Sequence, residues 1–241
     1  MKATAGVDVL IAALMDEKAG MASSIASQAL EKIPAPSVIP KALPVLKKYS
    51  AWAKERPYPN GTPSERSERI GYLLGVVLSY RLMSSIDPLV SLIRDEPTYG
   101  DQVLERLERV VEGMNDGELV QDPFLLSFRS LAQVNLASKS KGTRKNAILF
   151  LASLSQSQED ARAILVTGLN DSDTGIRCQS AYRAAKLRVY VLISTLYAKY
   201  PAASSSDEKT ALCKSLVVLG AIQSGTPCAD TRRRLPPLLP H

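Results

Sequence analysis

The chain has 241 residues, enough to bury a substantial core, and carries 30 Lys and Arg against 24 Asp and Glu for a formal charge of +6. Its 45% hydrophobic and 22% charged content is ordinary for a soluble protein, and no apolar run approaches the roughly 20 residues that a bilayer-spanning helix needs. Only 5% of residues are aromatic, which favours helices packed through small and aliphatic side chains over a β-sandwich.

In chain order, the first predicted unit runs from Val7 to Lys48. Val7, Leu10, Ile11 and Leu14 recur at helical spacing, Asp16 to Gly20 turn the chain, and Ile25, Ala29, Leu30 and Ile33 form the next stripe, with Pro34, Pro36 and Pro40 read as its break. A second unit starts near Val38, with Leu43, Leu46 and Trp52 on a helix. The turn-rich run Arg56 to Pro63 interrupts it, and the helix body from Ser67 to Leu82 follows. The third unit spans Asp87 to Met114, with a turn at Asp95 to Gly100. The fourth pairs Phe124–Ala137 with Thr143–Leu154. The fifth pairs Asp160–Leu169 with one long helix from Gly175 to Tyr200, and a capping helix is expected over Lys209–Gln223. The tail 224–241 is rich in Pro and Arg and is expected to be disordered. The organisation expected is a single helical-repeat domain over 1–223 followed by that tail.

The turns at Leu14–Glu17, Leu92–Glu96 and Leu169–Asp173 carry the repeat. From Leu14 to Leu92 is 78 residues and from Leu92 to Leu169 is 77, so a period of about 39 places one further unit in each gap. A helical repeat of this length predicts an all-α protein, a right-handed α-solenoid of about five helix-turn-helix units, and such folds are usually surfaces for partners.

The residues that carry chemistry are sparse. The one histidine is His241, at the end of the chain, so a Ser-His-Asp triad, a Cys-His pair or a His-ligated metal has no positioned imidazole. No glycine-rich phosphate cradle occurs. Asn170–Gly175 resembles the start of a calcium loop, but the glycine is out of register and Tyr182 stands where the closing Glu belongs. No cofactor or metal is expected, and the chain reads as a non-enzyme. Cys178, Cys213 and Cys228 form no disulfide or zinc spacing and read as reduced thiols of a cytoplasmic protein, with the nucleus as the alternative.

The units resemble HEAT repeats and, more loosely, armadillo repeats. The resemblance is clearest from Ile164 to Leu187: Leu165 and Leu169 precede Asn170-Asp171-Ser172-Asp173, Ile176-Arg177 opens the second helix, and Ala181, Ala184 and Ala185 pack it. It covers most of residues 7–200 in degenerate form. It implies that Asp171 and Arg177 interact with neighbouring repeats, and that second helices line a concave face. HEAT-like alkylpurine DNA glycosylases are similar only in architecture. The tryptophans of that family are not matched, since Trp52 stands alone outside the basic half.

The basic excess is local. Residues 123–158 hold Arg129, Lys139, Lys141, Arg144 and Lys145 with no acid, and 174–206 hold Arg177, Arg183, Lys186, Arg188 and Lys199 with no acid. By the resemblance, Arg144, Lys145, Arg177, Arg183, Lys186 and Arg188 come from second helices and would form one anion-binding face. The bland reading is a set of solvated faces, with Arg177 tied to a turn carboxylate. Tyr182, Tyr190, Tyr197 and Tyr200 accompany these cations, read first as packing and second as stacking platforms. The partner expected is an acidic or phosphorylated protein, with nucleic acid as the alternative, and charge reversal at Arg144, Arg183 and Lys186 is expected to weaken binding without unfolding the chain.

Overall fold

A computed structural model describes residues 2–16, 21–55, 65–95, 98–112, 114 and 121–222. Among these the protein is all-helical, as expected, with 13 α-helices and three short 3-10 turns and no strand. The tail 224–241, the loop 56–63, Asn115–Gly117 and Cys228 lie outside the described residues. The chain divides into two compact units, Met1–Val134 and Asn135–His241, where the sequence pattern reads as a single repeat domain over 1–223.

In the first unit, α1 (Lys2–Met15) buries Val7, Ile11 and Leu14 against α2 (Met21–Glu31). The small residues Ser23, Ala26 and Ser27 of α2 let the two helices approach closely. The Tyr80 hydroxyl donates to the carbonyls of Ile33 and of Leu30, the latter also accepting from the Ile33 N–H, and so ties the chain at Tyr80 to the turn after α2. The expected proline break is only partly realised. Pro34 separates α2 from α3 (Ala35–Glu55), but Pro40 and Pro44 lie inside α3. Pro36, Pro40 and Pro44 are four residues apart and all exposed, so the carbonyls that lose their helical donors sit on the watered side of α3.

α4 (Glu65–Ser79) is buried on most sides through Ile70, Leu73, Leu74, Val76, Val77 and Leu78. α5 (Ile86–Asp95) and α6 (Thr98–Glu112) bury Leu89, Leu92, Val103, Leu104 and Leu107. Gly71 and Gly75 give α4 a groove in which the Arg106 side chain of α6 lies, its guanidinium 5.5 Å from the centre of the Tyr72 ring. The predicted helix Phe124–Ala137 is two helices, α7 (Pro123–Ser127) and α8 (Arg129–Asn135). Asp122 caps α7 and pairs with Arg81, and Phe124 and Phe128 meet edge to face at 5.3 Å.

The second unit contains α9 (Lys141–Ser153), α10 (Gln158–Leu169), α11 (Thr174–Lys186), α12 (Ile193–Lys199) and α13 (Ser206–Val218). Leu165, Leu169, Ile176, Ala184, Leu192, Leu196, Leu212 and Leu216 form its core, each large aliphatic side chain contributing about 1.5–3 kcal/mol on burial. α11 packs against α9, α10 and α13.

The expected long helix Gly175–Tyr200 is broken, which corrects the sequence reading. Arg188 has φ +52°, its N–H bonds Ala185 O, and the Val189 N–H bonds Ala184 O, a Schellman closure that ends α11. Gln158 holds the turn open to α12 by donating to Arg188 O and accepting from the Tyr190 N–H. α13 ends in the same way, with Gly220 at φ +73°.

The caps also revise the period in this unit. Ser140, Asp173 and Ser205 cap α9, α11 and α13 by accepting from the N–H three residues on. From Ser140 to Asp173 is 33 residues and from Asp173 to Ser205 is 32, not 39.

Candidate functional site

Three of the four side-chain-capped helices of the second unit have a cation four residues after the cap, Arg144 in α9, Arg177 in α11 and Lys209 in α13, while α10, capped by Ser157, has Ala161 there. The two arginines make the same double connection. Arg144 Nη1 donates to Ser138 O and Lys139 O, the carbonyls of its own approach turn, at 2.9 and 3.1 Å. Its Nε and Nη2 grip the Asp171 carboxylate ahead of α11 at 2.8 and 2.9 Å. Arg177 Nη1 donates to Asp171 O and Ser172 O at 2.9 and 3.0 Å, and its Nε and Nη2 grip Glu208 of α13 at 2.6 and 2.9 Å. Two bidentate pairs thus tie α9 to the turn ahead of α11, and α11 to α13. Lys209 is exposed.

The electrostatics follow from that geometry. The Arg177 guanidinium, with help from the Ser204 N–H and hydroxyl, lowers the Glu208 carboxyl to about 2 despite its burial. Arg144 likewise holds Asp171 below the usual carboxylate range, aided by the Asp173 N–H. Asp173 caps Ile176 N–H and lies 3.7 Å from Lys141. The carboxylates of the calcium-like run are therefore engaged with arginine, lysine and backbone.

The six cations read as one anion-binding face separate into two groups. Arg144, Arg177 and Arg183 belong to the fold. The first two are ion-paired as above, and Arg183 is 5% exposed with Nη1 donating to Ser153 Oγ at 2.8 Å. Charge reversal at Arg144 or Arg183 would break these contacts as well as alter the surface charge. Lys145 is half-buried, while Lys186 and Arg188 are exposed. The tyrosines divide too. Tyr197 and Tyr200 pack on the core and the Tyr197 hydroxyl donates to Ala221 O, whereas Tyr182 and Tyr190 are exposed.

Sequence reasoning missed Lys214 and Val218, both exposed on α13. It also missed Glu208, although Ser205 and Glu208 form a capping box that the spacing spells out. The three-thiol reading is overturned: Cys178 is free, but Cys213 is disulfide-bonded. In the first unit an open groove of about 380 Å³ lies along α3 and α5, lined by Leu43, Leu46 and Leu92, with Lys47 the charged residue in its lining. Its residues offer no acid–base pair.

No family model matches the chain, and neither the curated proteins nor the solved structures compared with it include a match. No described helix is long and apolar enough to cross a membrane.

Proposed function

We propose that the protein is a non-enzymatic interaction scaffold, built as a HEAT- or armadillo-like α-solenoid, whose second unit takes an acidic or phosphorylated protein partner. The observation that carries this reading is the repeated arginine clamp: an Arg early in one capped helix grips a carboxylate ahead of, or at the start of, the second helix after it. Two clamps 33 residues apart, at Arg144 and Arg177, favour a stack of like modules whose stability is additive along the array, leaving the outer helix faces for partners.

The charge distribution supports the partner class. Between residues 135 and 222 every acid lies in the turn before a helix or in its first turn: Glu159 and Asp160, Asp171 and Asp173, Asp207 and Glu208. Those positions complement the positive helix ends. The remainder of this unit's surface is left basic.

The test is titration of the purified protein with short labelled single- and double-stranded nucleic acids at two salt concentrations, beside affinity capture of protein partners. Saturable capture of a protein with no nucleic-acid binding at low salt supports the scaffold. Sub-micromolar binding to nucleic acid that falls steeply with salt overturns it in favour of a polyanion binder.

A further inference from the structure

We infer that the groove between α3 and α5 is a binding site for a small monocarboxylic acid with an aliphatic body. The groove lies within the first unit, so this inference is independent of the partner reading of the second.

The dimensions of the groove set the size of the ligand. Its lining runs from Leu43 to Lys47 on α3 and from Pro88 to Leu92 on α5. That is about one turn, or roughly 6 Å, of each helix. A docked helix or strand needs a longer track, because its anchoring side chains recur over several turns. The volume of about 380 Å³ falls at the small end of the range of ligand pockets. Leu43, Leu46 and Leu92, with Pro44 and Pro88, make most of the wall apolar. The body that fills it is therefore hydrocarbon, which gains by leaving water.

The polar groups set the charge of the ligand. Lys47 and Ser91 line the groove, and Arg94 Nη2 donates to Ser91 Oγ at 3.3 Å. Lys47 and Arg94 are both exposed, and among the described residues neither has a carboxylate partner. Because the Ser91 hydroxyl accepts from Arg94, its own proton is left to donate. The helical serines Ser79, Ser153, Ser180 and Ser215 instead donate theirs to a carbonyl of their own helix. Two cations without a counter-ion and one hydroxyl proton thus border a hydrocarbon-lined space. A carboxylate on an aliphatic body satisfies both halves, since its two oxygens accept charge-assisted hydrogen bonds while its chain covers the leucines.

The experiment titrates the full chain with octanoate by calorimetry, beside butanoate and octylammonium. The groove variant is K47Q/S91A, and K48Q removes the same charge at the exposed neighbour of Lys47. Circular dichroism checks folding, and K47Q alone serves if the double variant is destabilised. The expected result is saturable binding of octanoate, at least roughly tenfold tighter than butanoate, because each further buried methylene strengthens binding about fourfold. Octylammonium, with the same chain and the opposite charge, should bind at least roughly tenfold more weakly than octanoate. K47Q/S91A should likewise lose about tenfold or more for octanoate, and K47Q alone about threefold or more, with K48Q unchanged. Octylammonium binding as tightly as octanoate overturns the site, and so does an equal loss in K48Q. Unchanged octanoate affinity in the groove variant, or no saturable octanoate binding at millimolar concentration, overturns it as well.

Discussion

Arg177 has all three guanidinium nitrogens engaged: with the Glu208 carboxylate, with the carbonyls of Asp171 and Ser172, and with the hydroxyls of Thr174 and Ser204. The Glu208 side chain is only 6% exposed, so its charge depends on that partner. Its carboxyl is lowered from 4.5 to about 2 in the folded chain. A depressed acid stabilises the fold fully above its unfolded value, and that contribution disappears as the pH falls from about 4.5 to about 2. Allowing for the solvent that reaches the pair, it amounts to roughly 2 kcal/mol at neutral pH. Glu208→Gln should therefore unfold at lower urea concentration than the wild type at pH 7, with the gap narrowing below about pH 4.5 and closing near pH 2. A gap of the same size at both pH values would mean that the carboxylate charge is not what holds α13 to α11. The HEAT resemblance implies that Asp171 and Arg177 each interact with neighbouring units, and each does reach a flanking helix: Asp171 takes Arg144 of α9, and Arg177 takes Glu208 of α13 while meeting Asp171 through its carbonyl. Local spacing puts a cation and an acid near one turn. Which of them faces forward along the array depends on packing that a single chain pattern does not encode.

The ends and contacts of α11 define the second unit more sharply than its apolar pattern does. Its stop is a left-handed residue, and Arg188 holds the place that Gly220 holds at the end of α13. An L side chain strains that conformation, so Arg188→Gly should raise stability by about 0.5–1 kcal/mol, the glycine's extra unfolded-state freedom offsetting part of the relief. Arg188→Val should lower it, and thermal unfolding of the two variants checks the sign. Where α10 crosses α11, Gly168 faces Ser180. A β-carbon at Gly168 would lie 2.0 Å from Ser180 Oγ and 3.0 Å from an Ile148 methyl. Ser180 is fully buried with its hydroxyl bonded to Ile176 O, so it has little room to yield. Gly168→Ala should cost about 1–3 kcal/mol, and Gly168→Ala with Ser180→Gly should recover part of it. No recovery would place the strain at Ile148 instead. These two sites show what was legible. The apolar spacing located α1, α2, α10 and α13 to within a few residues, because a buried stripe leaves a helical period in the sequence. It ran α11 into α12, because an arginine does not announce a left-handed turn as glycine does. It also gave too much weight to Pro40 as a breaker, because a proline on the watered side of a helix loses a hydrogen bond that water replaces.

At the scale of the molecule, the net charge of +6 misdirects when it is read as one basic face. The second unit places its acids at helix starts, draws two arginines into them and buries a third, so these three cations are parts of the fold. The cysteines bear on where such a molecule works. Disulfides persist in oxidising compartments and are rare in the cytosol, so the bonded Cys213 removes the support that three reduced thiols lent to a cytoplasmic setting. Cys178 is a different case: burial and the nearby Glu208 and Asp207 raise its thiol, which keeps it protonated and slow to react in the folded chain. Alkylation followed by peptide mass mapping separates the two residues. In urea without reductant, Cys178 should be labelled and Cys213 should not. After reductant both should be labelled, and the reduced protein should melt at a lower temperature, because the released chain regains conformational entropy when unfolded. Labelling of Cys213 in urea before any reductant is added would return the chain to the reduced state and restore the thiol argument for the cytoplasm.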